Sequence, residues 1–78
     1  MPEITVRYFA GAKEAAGTES ERLHAATLAD LKGVLGARDG LRAVCLASSF
    51  LVNGAQAEPD ALLPEGAQVD VLPPFAGG

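Results

Sequence analysis

Residue types that carry most acid-base and nucleophilic chemistry are scarce in this chain: one histidine, His24, one cysteine, Cys45, and no tryptophan. His24 stands on a charged stretch with no carboxylate at a fixed spacing, which reads as a surface histidine rather than a general base. Cys45 follows Leu41 and Val44 at helical spacing, where a small buried hydrophobe accounts for it without a reactive thiolate. Glu19 and Glu21 lie two apart on a strand-like segment, the pattern of a solvated face, and the acidic residues show no metal-ligand spacing. Gly11, Gly17, Gly33 and Gly36 match no strand-loop-helix phosphate cradle. The chain itself is therefore expected to bind no metal and no cofactor, and to run no catalysis alone.

One segment remains, Leu72-Pro73-Pro74-Phe75-Ala76-Gly77-Gly78. Two prolines hold the backbone extended and withhold their N–H groups from any ladder, and the side chains then shrink to nothing at Gly77 and Gly78. A residue without Cβ lets other groups approach its backbone from every side. The carboxylate of Gly78 is thus suited to threading through a narrow active-site tunnel. A terminal glycine pair is also what a fraying chain end looks like, and the residues alone leave both readings open. Phe75 interrupts the taper. An aromatic ring on a projecting tail serves as an anchor in a partner's pocket, or else folds back onto the domain's own core.

The elements that must position this tail fit into one domain. The 78 residues, 49% hydrophobic and 21% charged, leave no room for a second. A single cysteine forms no internal disulfide, and the start Met1-Pro2-Glu3-Ile4 shows no leader pattern, so a cytoplasmic location is expected. No apolar run approaches the roughly 20 residues that span a bilayer. Six basic against ten acidic residues give a net charge of −4, which argues against nucleic acid, because phosphate binding needs clustered Lys and Arg. Arg7 beside Tyr8 and Phe9 falls short of a base-stacking platform and reads as part of a core strand.

Ile4 to Tyr8 alternates apolar and polar residues with period two and reads as a half-buried strand. Ala10 to Ala16, closed by Gly17, suggests a short helical turn. Thr18 to Ala25 reads as a partly exposed strand hairpinned to the first. Thr27 opens the best helix signature, with Asp30 in capping-box position and Leu28, Leu31, Val34 and Leu35 expected on one buried face. Gly33 and Gly36 weaken that helix, and close approach to a sheet would explain them. Asp39-Gly40 breaks the pattern before a further helical turn carrying Leu41, Val44 and Cys45. Phe50-Leu51-Val52 running into Asn53-Gly54 is a strong hairpin signal, with a short edge strand near Gln56. Pro59-Asp60 and Pro64-Glu65-Gly66 punctuate a loop, and Gln68 to Leu72 is the last strand.

That order implies an α+β fold, a mixed sheet of four to five strands with one main helix across one face. Placing the first and last strands side by side in the centre is the economical arrangement, and it is the β-grasp architecture. Residues 1–72 form the domain, and 73–78 form an extended, flexible tail.

Ile4 to Ala10, Lys13-Glu14-Ala15-Ala16-Gly17, Val52-Asn53-Gly54, Pro64 to Val69 and above all Leu72 to Gly78 resemble the small subunit of molybdopterin synthase, a ubiquitin-like sulfur carrier. The resemblance runs nearly end to end and is most specific in its Pro-Pro-x-x-Gly-Gly ending. It implies that an activating enzyme, using ATP and Mg, adenylates the carboxylate of Gly78, and that a sulfur donor protein converts it to a thiocarboxylate. The sulfur then passes to cyclic pyranopterin monophosphate within a heterotetramer of two small and two large subunits. Gly78 would carry the reacting group, Gly77 and Ala76 would give passage, and Pro73, Pro74 and Phe75 would position the tail against the partner. The resemblance also extends to carriers for thiazole or cysteine formation and to protein modifiers that join their terminal glycine to lysines. A β-grasp interaction module without chemistry is the remaining alternative.

Overall fold

The computed structural model describes residues 1–74, and Phe75, Ala76, Gly77 and Gly78 lie outside the described residues. In chain order the elements are β1 (Glu3–Tyr8), α1 (Gly11–Ala16), β2 (Ser20–His24), α2 (Leu28–Gly36), α3 (Asp39–Ala47), β3 (Ser49–Val52), β4 (Ala55–Gln56) and β5 (Gln68–Leu72). The five strands form one sheet in the order β2-β1-β5-β3-β4. β1 and β5 are parallel at its centre, and the other pairings are antiparallel. This is the β-grasp arrangement expected from the element order.

Period two decides the two faces of the sheet. Ile4, Val6 and Tyr8 of β1 point the same way as Val69 and Val71 of β5 and Phe50 of β3, and all are buried. On that face they meet Leu28, Leu31 and Leu35 of α2, Leu41 and Cys45 of α3, and Ala12 of α1 in one core. The opposite face carries Thr5, Arg7, Arg22, Gln68, Asp70 and Leu72, and no helix among the described residues covers it.

The local signals act as the residue types dictate. Thr27 Oγ1 accepts from the Asp30 N–H at 3.1 Å, and the Thr27 N–H donates to Asp30 Oδ2 at 3.2 Å, closing the capping box. Asn53 and Gly54 both take positive φ, 50° and 84°, as a tight two-residue hairpin turn requires. Gly17 ends α1 in the left-handed region at φ 78°.

Three expectations need correction. Val34 is exposed rather than on the buried face of α2. At about 100° per residue it lies roughly 95° from the centre of the stripe formed by Leu28, Leu31 and Leu35. The turn after Asp39-Gly40 is a full helix of nine residues, as long as α2, so two helices share the task assigned to one. Finally, close packing does not explain Gly33 or Gly36, because a Cβ at either would meet nothing within 4 Å. Close approach occurs instead at Gly40, where a Cβ would stand 3.1 Å from the carbonyl oxygen of Ala15 in α1.

No helix among the described residues is long and apolar enough to cross a membrane.

Candidate functional site

The root of the tail is the end of β5. Leu72 pairs with Ser49 on one side, and the Phe9 N–H donates to the Val71 carbonyl at 3.3 Å on the other. The strand is thus held from both flanks until the prolines. Pro73 is half-buried and Pro74 exposed; having no N–H, neither can donate to a ladder. The tail therefore departs from the middle of the sheet rather than from an edge.

Just upstream, Arg7 and Asp70 are register partners in the β1–β5 ladder. Arg7 Nε donates to Asp70 Oδ1 at 2.9 Å and Nη2 to Oδ2 at 3.2 Å, a bidentate pair on the open face. Asp70 is only 8% exposed although it faces away from the helices. Hydrogen bonding to Asp70 raises the guanidinium pKa of Arg7 above its ordinary value. The same guanidinium lies 5.3 Å from the centroid of the Phe9 ring. Phe9 and Leu72, both half-buried, thus sit beside the tail root, with Arg7 against Phe9. Phe50, a third apolar residue that exposure would have made a docking candidate, belongs to the core at 7% exposure.

Glu21 is not a solvated carboxylate. Its Oε2 accepts 2.5 Å hydrogen bonds from the Tyr8 hydroxyl and from Arg38 Nη1, tying β1, β2 and the start of α3 together. Burial pushes the Glu21 carboxyl up, but the bonds from Tyr8 and Arg38 outweigh it and hold the group below its ordinary range. Burial and the bond to Glu21 push the Tyr8 phenol up. Glu19, two residues earlier, faces solvent and pairs with Lys13 at 3.1 Å.

His24 is exposed, and its Nε2 lies 4.0 Å from Glu3 Oε2, its cross-strand partner, which linear spacing did not reveal. Cys45 is a free, buried thiol whose pKa burial raises, against a smaller opposing effect of Arg38. Among the described residues no group of three or more His, Cys, Asp or Glu could hold a metal ion. Of the six predicted site residues, Pro73 and Pro74 are thus placed at the end of the central strand, and the other four lie beyond the described residues. Linear spacing missed Asp70 and Arg7 because only the parallel register brings residues 63 apart together.

A mixed sheet with its first and last strands parallel at the centre, helices on one face and a Pro-Pro segment leaving the central strand defines a ubiquitin-like β-grasp domain. The chain belongs to the ThiS family of ubiquitin-like sulfur carriers, and the family match covers residues 6–78.

Solved structures agree. The chain is similar to the small archaeal modifier protein 1 of Methanosarcina acetivorans, with 27% identity over 100% of this chain and 98% of that one and a TM-score of 0.84. It is similar to the HVO 2177 protein of Haloferax volcanii, with 29% identity over 99% of this chain and 87% of that one and a TM-score of 0.82. It is also similar to a chain in the complex of subunits 1 and 2 of the molybdopterin-converting factor of Helicobacter pylori. There identity is 25% over 97% of this chain and 99% of that one, with a TM-score of 0.79. No curated protein sequence matches the chain.

Proposed function

We propose that this chain carries sulfur as a thiocarboxylate on Gly78 and, in the cytoplasm, delivers it as the small subunit of molybdopterin synthase. The observation that supports this most is that the family match runs through Gly77-Gly78. Four residues, Pro73 to Ala76, separate them in sequence from a central strand that is held on both flanks.

A carboxylate is a poor electrophile at neutral pH, so the cycle begins with an activating enzyme. That enzyme transfers AMP from ATP, with Mg, to the Gly78 carboxylate, and pyrophosphate leaves. A sulfur donor protein then supplies the sulfur that displaces AMP, and a thiocarboxylate results. Its sulfur attacks cyclic pyranopterin monophosphate in the large subunit, and the Gly78 carboxylate is restored when the acyl-sulfur bond is hydrolysed. Two such deliveries build one dithiolene, which fits a heterotetramer of two small and two large subunits. The Helicobacter pylori relative, a complex of subunits 1 and 2 of the molybdopterin-converting factor, supports a large-subunit partner.

In this cycle the chain binds no cofactor; it supplies a positioned carboxylate. Gly77 and Ala76 pass through the partner's tunnel, Phe75 anchors in its pocket, and Pro73 and Pro74 set the direction of departure. Intact mass after incubation with an activating enzyme, ATP and a sulfur donor tests the reading. Replacement of one oxygen by sulfur is expected, followed by molybdopterin formation with a cognate large subunit. Covalent ladders on lysines of other proteins would instead mark a modifier, and sulfur loading by a chain ending at Gly77 would overturn the assignment to Gly78.

A further inference from the structure

The helical side of the domain has a feature that sulfur delivery does not use. Between α2 and α3 lies an apolar slot of about 140 Å³ lined by Lys32, Gly36, Arg42, Cys45 and Leu46. Spacing makes the slot: Lys32 and Gly36 stand one turn apart on α2, facing Arg42, Cys45 and Leu46 one turn apart on α3. The space beside Gly36 is open, and a Cβ there would meet nothing within 4 Å. Leu46 stands at its edge with 82% of its surface exposed, on a helix whose Leu41 and Cys45 are buried.

The charge at the rim is the second observation. Among the described residues, Arg7, Lys13 and Arg38 are paired with Asp70, Glu19 and Glu21. Lys32 and Arg42 form no ion pair, and they stand on opposite walls of the slot, which no acidic residue lines. On a chain of net charge −4 this places two cations without a carboxylate partner around one apolar hole, Lys32 with its ammonium 5.0 Å from the centroid of the Phe50 ring.

We infer that this slot docks a partner-protein segment presenting one aliphatic side chain flanked by carboxylates. The hole takes the apolar group against Gly36, Cys45 and Leu46, and Lys32 and Arg42 receive the acids. Charge complementarity chooses this occupant. A second copy carries the same net charge of −4, so long-range repulsion opposes it although its exposed Leu62 lies between Asp60 and Glu65, and self-association that Arg42→Glu abolishes would overturn this choice. Two cations on an acidic surface are too few for an anionic membrane. The slot lies on the helical side, away from the open sheet face that carries Arg7 and Asp70. A protein held there leaves that face and the tail free to engage another, and the inference does not depend on the chemistry proposed for Gly78.

The probe is a synthetic helical peptide with one leucine and a glutamate one turn to either side. Fluorescence anisotropy measures its affinity for the full chain, and amide chemical shifts locate it. Shifts confined to Gly36, Cys45, Leu46 and their neighbours are expected. Lys32→Glu and Arg42→Glu should each weaken binding about tenfold, and Arg22→Glu, a matched loss of charge on the open sheet face, less than twofold. Gly36→Met fills the slot from within and should abolish binding; circular dichroism checks that the helix persists. The absence of binding, equal losses from Arg22→Glu and Arg42→Glu, or shifts on the open face would overturn the inference. So would peptide-independent binding to phosphatidylserine vesicles that Lys32→Glu and Arg42→Glu abolish.

Discussion

Arg7 and Asp70 face each other across the parallel β1–β5 ladder, the guanidinium gripping both carboxylate oxygens just before the tail root. The pair fixes how the last strand is rotated where it hands over to Pro73. Asp70 is largely desolvated, so Arg7→Leu strands a carboxylate without its counter-charge. Arg7→Leu and Asp70→Leu should each lower the urea midpoint, and the double variant should lose less than the sum of the two. A double-mutant cycle measures that coupling, and zero coupling would make the pair ornamental.

The Tyr8–Glu21–Arg38 network makes stability depend on acid pH. The folded-state pKa of Glu21 lies below its ordinary value of 4.5, so its contribution is present above about pH 4.5 and is lost as pH falls through the folded value. Glu21→Gln should flatten the acid limb of the stability profile. Glu21→Ala should cost about 1–2 kcal/mol at pH 7, because the half-buried Tyr8 hydroxyl and Arg38 lose their acceptor; the figure allows for the partial exposure of Arg38. The raised Tyr8 pKa acts in the opposite sense, present in full below the ordinary value of 10.0 and declining above it.

Helical glycines should split by the space around them. Gly33→Ala places a methyl group where nothing lies within 4 Å, and it should stabilise the fold by about 0.5–1 kcal/mol through helix propensity. Gly40→Ala forces a methyl group to 3.1 Å from the Ala15 carbonyl oxygen and should destabilise by about 1–3 kcal/mol as α1 and α3 move apart. Opposite signs in chemical denaturation are the expected result.

Ala10 joins β1 to α1 at φ 50°, ψ −126°, a conformation natural to glycine and strained for any residue with a Cβ. Ala10→Gly should raise stability by about 1 kcal/mol, partly offset by the greater freedom of glycine in the unfolded chain. Thermal melts of the two proteins check it.

If the proposed function holds, Phe75→Ala should weaken binding to a cognate large subunit about tenfold or more, as loss of an aromatic anchor does. Titration calorimetry with the cognate subunit reads this directly. An unchanged affinity would remove Phe75 from the docking machinery.

Local signals in the sequence went far toward the fold. Period-two alternation marked β1 and β5, the Thr27–Asp30 capping box began α2 where it begins, and Asn53-Gly54 turned the β3–β4 hairpin. Apart from Val34, which the angle of its own helix turns outward, what escaped the sequence depends on which distant residue lies opposite. Glu21 looks solvated until Tyr8 and Arg38 are brought to it. Asp39-Gly40 looks like a breaker until Gly40 is seen to let α3 press on α1. Arg7 and Asp70 are ordinary strand charges until the parallel register joins them. The root of the tail differs, because the missing N–H groups of Pro73 and Pro74, which end the ladder after Leu72, belong to the residues themselves.

The position of β5 has a consequence for how the protein comes into being. Without it the sheet is two separate ribbons, β2 with β1 and β3 with β4, joined by no direct backbone ladder. The strand that locks them together, β5, is the last of the five in chain order, and its pairing with β1 joins residues 63 apart in sequence. Folding therefore waits for the residues that root the tail. A chain that lacks β5 cannot offer a finished domain to any partner, so the completed fold and the base of the tail come as one.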